Sequence, residues 1–139
     1  MTKEEAIKSF EEFDLELDFY IDFLNQFASQ SGDKYFPLDH SMDSLTNLEN
    51  LYRDFLNEEI GRDIPSGNMD WWLEAYLGIS LIKEFDGGHW KVELDENLVN
   101  FGMPGVCEIP GLAESYSWCP FVVLNNFKIN KYADRELCQ

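Results

Sequence analysis

The side chains able to do metal or nucleophilic chemistry are few. The chain holds three cysteines, Cys107, Cys119 and Cys138, and two histidines, His40 and His89. None falls at the Cys-x-x-Cys or His-x-x-x-His spacing that builds a metal site. Asp39-His40, and Asp86 near His89, are close in sequence without forming a recognised ligand set. Asp95-Glu96-Asn97 opens like a calcium loop, but Asn100 stands where the loop needs Gly and Val106 where it needs Glu. No metal and no cofactor is expected. A Cys–His pair would need Cys107 or Cys119 to meet His40 or His89 through the fold, and a small buried Cys is the commoner fate. No Gly-x-Ser-x-Gly elbow, phosphate-cradling glycine loop or dinucleotide fingerprint occurs. Spacing singles out no glycosidase pair among 27 carboxylates. The expectation is a protein that works without catalysis.

The carboxylates say more as a charge than as catalysts. Ten Lys and Arg against 27 Asp and Glu give a net charge of −17. Such a surface repels nucleic acid and anionic lipid. A basic protein, a cation or no charged partner remains. The acids concentrate early: residues 1–60 carry 15 acids and four bases, residues 61–139 carry 12 and six. At 100° per residue, Glu4, Glu11, Asp14, Asp18 and Asp22 fall within about 80° on a helix. Asp14, Asp18 and Asp22 would be successive i, i+4 neighbours, each like-charged pair costing about 0.2–0.5 kcal/mol. No Lys or Arg lies between Lys8 and Lys34 to offset them. The ridge is either a solvated face or a docking surface that steers a basic partner.

Leu15, Phe19 and Phe23 make a second apolar line on the same segment, flanked by Glu12 and Glu16. Either the C-terminal half packs over it, or it is an exposed patch. Acid-flanked aromatics suit a binder of basic proteins, because aromatics anchor and charges steer. The candidate partner-binding set is therefore Glu11, Asp14, Asp18 and Asp22 with Leu15, Phe19 and Phe23.

These residues need a helix to position them. Ala6, Phe10, Phe13, Leu17, Tyr20, Leu24 and Phe27 recur at three-and-four spacing, which predicts one helix from about Lys3 to Gln30. Thr2 and Glu5 read as its capping box. Phe13, Leu15, Leu17, Phe19, Ile21 and Phe23 also alternate as a strand would, but the intervening acids disfavour strand. A second helix is expected from Ser44, its cap, to about Ile60, with Gly61 following its end. Residues 62–69 read as loop around Pro65 and Gly67. A third helix is expected over Asp70–Phe85, apolar nearly all round, with Gly78 admitting a close neighbour. His89–Leu94 alternates as a half-buried strand. Residues 98–109 read as a second strand broken at Gly102–Gly105, and Pro110–Ser117 as loop. Pro120–Lys128 reads as a short final helix.

At 139 residues, 45% of them hydrophobic, the chain suits a single domain over 1–139 with a core of its own. Repeats and linkers are missing. The order, helices then strands then helix, predicts an α+β fold: three N-terminal helices packed with a small antiparallel hairpin or sheet and a short C-terminal helix. The N-terminus MTKEEAIKSFEEF lacks a signal-like apolar region. The sparse, odd cysteine count suits a reducing compartment, with all three thiols free. The cytoplasm is the expected location.

Four short stretches carry a resemblance: Ala75-Tyr76-Leu77-Gly78, Gly87-Gly88-His89-Trp90, Asn100-Phe101-Gly102-Met103-Pro104 and Cys119-Pro120-Phe121. A helix bearing Tyr-x-Gly that leads into a Gly-Gly-x-Trp strand resembles several small bacterial uncharacterised-domain families. Some of these are similar to immunity proteins of polymorphic-toxin systems. The resemblance covers residues 75–121 and implies no catalytic residues. With the charge, it leads to the expectation of an immunity or inhibitor protein that occludes a basic toxin domain such as a nuclease. The alternative is a structural or adaptor domain whose acidity serves solubility.

Overall fold

The computed structural model describes residues 1–112 and 117–129. Their order is α1 (Lys3–Leu15), α2 (Leu17–Ser31), a 3-10 turn (Asp33–Tyr35), α3 (Ser44–Leu56), α4 (Ser66–Phe85), β1 (His89–Val92), β2 (Pro104–Cys107), β3 (Ser117–Trp118) and α5 (Pro120–Ile129). The fold is α+β, as the order of patterns predicts, with an antiparallel sheet in the order β1-β2-β3.

The expected first helix is two helices. The Thr2–Glu5 capping box forms: the Glu5 N–H donates to Thr2 Oγ1 and the Thr2 N–H to Glu5 Oε1, both at 3.1 Å. The apolar stripe runs through both pieces, burying Ala6 and Phe13 in α1 and Leu24 and Ala28 in α2. At Glu16 the backbone leaves helical geometry, with φ −104° and ψ 9°. Its N–H is shared between the Glu12 and Phe13 carbonyls, and its own carbonyl accepts from Tyr20. Phe13 of α1 lies edge-on to Trp90 of β1, 5.1 Å between centroids, and 5.0 Å from Trp71 of α4, while α2 packs along α4.

Gly78 admits a neighbour, as expected, and the neighbour is Trp90. A Cβ built at Gly78 would lie 2.0 Å from Trp90 Cη2. The indole thus rests on the α4 backbone and joins the helices to the sheet. In that sheet His89 pairs with Cys107, Val92 with Pro104, and Val106 with Trp118. β2 is central and buried along its length. The main core lies between α2, α3, α4 and α5, around Leu24, Leu48, Leu51, Tyr52, Leu73, Tyr76 and Leu124.

Several boundaries differ from the sequence reading. Asp43, not Ser44, holds the N-cap position of α3. Ser44 is buried; its hydroxyl donates to the Ser41 carbonyl at 2.7 Å and meets the Tyr76 hydroxyl at 2.6 Å. α3 stops at Leu56, so Gly61 sits in the connection beyond it. There it takes φ +69°, and a Cβ would strike Phe27 and Phe55. α4 starts at Ser66, inside the expected loop, because the Pro65 carbonyl accepts from Asn68 and Met69. The second strand is shorter than expected, since residues 98–103 are mostly turns. Ser117, read as loop, begins β3.

Candidate partner-binding surface

All seven candidate residues are exposed. Leu15 shows 82% of its surface, Phe19 59% and Phe23 44%. The second apolar line of the N-terminal segment is therefore open to solvent. Glu11 and Asp14 sit on α1, and Asp18 and Asp22 on α2. The break at Glu16 separates Asp14 from Asp18, so the uninterrupted i, i+4 ridge shrinks to Asp18 and Asp22. It also changes what the acids do. Asp18 lies in the first turn of α2, where the positive end of the helix dipole favours a carboxylate. Asp14 lies in the last turn of α1, where the dipole opposes it. Beside the surface, Tyr20 packs 5.7 Å from Phe13. Burial, then the carboxylates of Glu16 and Glu12, push its phenol pKa up.

Phe23 does not stand alone. Its ring lies 5.6 Å from that of Trp72 on α4. Beyond that pair a cleft of about 310 Å³ opens between the C-terminal half of α2 and residues 61–64. Phe23, Phe27 and Trp72 line it with Gln26, Gln30 and Asp63. The sequence reading missed this cleft. Phe23 and Trp72 are 49 positions apart, and nothing but the packing of α2 on α4 brings them together.

Three polar clusters lie elsewhere. His40, at φ +66°, stacks on Tyr76 with centroids 4.4 Å apart. Its N–H donates to the Tyr76 hydroxyl at 2.8 Å, and its Nδ1 lies 3.0 Å from Ser80 Oγ. Ser80 gives its proton to the Tyr76 carbonyl, so His40 Nδ1–H is the donor of that pair. Burial, then Lys83, lowers the His40 pKa. Asp39 is engaged with the backbone and hydroxyl of Ser41. The cluster clasps residues 39–44 to α4.

The second cluster is more deeply buried. Tyr52 donates to Asp70 Oδ1 at 2.9 Å and Lys128 to Asp70 Oδ2 at 2.6 Å, which ties α3, α4 and α5 together. Glu74, one turn along α4, is 2% exposed, and its Oε1 has no hydrogen-bond partner among the described residues. Burial, reinforced by Asp70 and opposed by Lys128, raises its pKa to about 8. The third cluster holds the thiols. Cys107 donates to the His89 carbonyl and Cys119 to that of Pro104, each at 3.5 Å. Burial pushes both thiols up, the reverse of what activates a nucleophilic cysteine. Both are free; Cys138 lies outside the described residues. Among the described residues no three His, Cys, Asp or Glu converge as metal ligands, and no helix is long and apolar enough to cross a membrane.

No family model matches the chain, and no curated protein or solved structure does. Within the four stretches quoted for the resemblance, Trp90 covers Gly78 and Cys119 bonds to Pro104.

Proposed function

We propose that the protein is a cytoplasmic immunity or inhibitor protein that binds and occludes a basic toxin domain such as a nuclease. The supporting observation is the exposure of Leu15, Phe19 and Phe23 among Glu11, Asp14, Asp18 and Asp22. Exposed apolar patches mark interaction surfaces, and the acids on the same two helices indicate the partner's chemistry. Carboxylates on the rim speed encounter with a basic surface, and the aromatics slow its departure. A nuclease face built to hold phosphates offers the complementary charge, and the acidic side chains stand in for those phosphates. Inhibition is steric, with no catalysis. The adaptor reading differs in needing no basic partner.

Coexpression with the reading frame beside its gene tests this. Rescue of growth from a toxic, basic product, with a complex that survives purification at low salt, is the expected result. A neighbouring product that is basic and toxic yet neither neutralised nor bound would overturn it. Rescue that persists when Phe19 and Phe23 are both changed to Ala, with the complex unweakened, would keep the function and take the interface off this face of α2.

A further inference from the structure

We infer that the cleft beside Phe23 is a receptor for an arginine side chain of the partner; this rests on the basic-partner reading and gives that surface its anchor point. The cleft combines the features guanidinium recognition requires. Three aromatic residues, Phe23, Phe27 and Trp72, line it together with one acid, Asp63, and the polar residues Gln26 and Gln30. Aromatic faces attract a cation, and Arg above all because its planar group also stacks. A carboxylate accepts the guanidinium fork through charge-assisted hydrogen bonds. Among the described residues the cleft is lined by no cation. Arg62 instead lines the adjoining cleft, where its Nε donates to the Glu58 carbonyl at 2.8 Å.

Size and charge narrow the occupant further. About 310 Å³ sits at the lower end of ligand-pocket volumes, enough for one long side chain. A second copy of this chain, at −17, is repelled. The cleft also continues the exposed step from Phe19 to Phe23 along α2. A partner lying along α2 would therefore place a basic side chain at its mouth. Gly61 lines the cleft at φ +69°, and a Cβ there would press on Phe27.

The test is a titration of the full chain, labelled with nitrogen-15, with capped oligoarginine at low salt. Oligolysine and the citrulline counterpart, which keeps the shape and loses the charge, serve as comparisons. Saturable shifts of the Trp72 indole N–H and the Gln26 and Gln30 side-chain amides are expected. Oligolysine should bind about threefold more weakly, the citrulline peptide should leave these signals in place, and Asp63→Asn should weaken oligoarginine about fivefold. Phe23→Ala should act similarly. Both positions are exposed, and unshifted distant amides will show that each variant folds. Equal binding of lysine or citrulline peptides overturns the arginine assignment. Saturable shifts around Asp14–Asp22 with Trp72 unmoved overturn the cleft while leaving the basic-partner reading intact. A flat titration everywhere removes both.

Discussion

Trp90 lies across the α4 backbone at Gly78, where a Cβ would stand 2.0 Å from the indole. Alanine is the better helix former by about 1 kcal/mol, so propensity alone favours Gly78→Ala. Overpacking of a closed contact costs about 1–3 kcal/mol, and at 2.0 Å neither backbone nor ring can absorb the methyl group. The variant should lose about 2 kcal/mol in denaturant unfolding, most of it regained when Trp90 is also changed to Leu. An unaltered midpoint would show that the contact yields. At Glu74 the same core sets a pH response. Its carboxyl titrates at an ordinary 4.5 when unfolded and near 8 when folded, so between those values the folded state holds the extra proton. The contribution of this one group is full below pH 4.5 and falls toward pH 8, by at most about 1.4 kcal/mol per pH unit. Glu74→Gln removes the titration. Its melting temperature relative to the parent should rise steadily from pH 5 to pH 8, and a difference independent of pH would refute the buried carboxyl as the cause.

The break at Glu16 makes a prediction that belongs to the elements. On one continuous helix, Asp14 and Asp18 would repel each other, and removing either charge would stabilise. On two helices they face opposite ends of two dipoles. Asp14→Asn should stabilise, by about 0.3–1 kcal/mol at low ionic strength, and Asp18→Asn should destabilise, by less because it also relieves the Asp18–Asp22 repulsion. Two changes of the same sign, read from thermal or denaturant unfolding, would restore the single helix. This is also where the sequence was least legible. The stripe from Ala6 to Phe27 was readable because both helices bury the same face. The break was not, since no Gly or Pro marks it. Gly78 was legible as a close approach, but not its neighbour, which a lone glycine cannot name. Ser44 looked like a cap because serine usually is one; burial against Tyr76 reassigns it. Of the surface, the acids and the line from Leu15 to Phe23 were readable from spacing. The cleft was not, because Trp72 sits in a helix that reads as apolar nearly all round and Asp63 in a stretch that reads as loop.

At the scale of the whole molecule, charge sets the terms. A net −17 repels itself within the folded state, and salt relieves that repulsion over a Debye length of about 8–10 Å near physiological ionic strength. Thermal stability should therefore rise with sodium chloride. Changing Asp14, Asp18 and Asp22 together to Asn removes three of those charges with little change of shape. Its net effect on stability is small, because the dipole contributions of Asp14 and Asp18 oppose each other and only Asp18–Asp22 remains an uninterrupted like-charged pair, at about 0.2–0.5 kcal/mol. Its effect on encounter is large. Against a basic partner the association rate of the triple variant should fall by about tenfold at low salt, with the gap closing as salt screens the ridge. Phe19→Ala should do the converse, speeding dissociation with little dependence on salt, because an apolar anchor acts after encounter. Stopped-flow or surface kinetics at low and high ionic strength separate the two effects. An association rate that ignores the three aspartates would leave the acidity of α1 and α2 as solvation alone. A dissociation rate that ignores Phe19 would move the anchor elsewhere on the molecule.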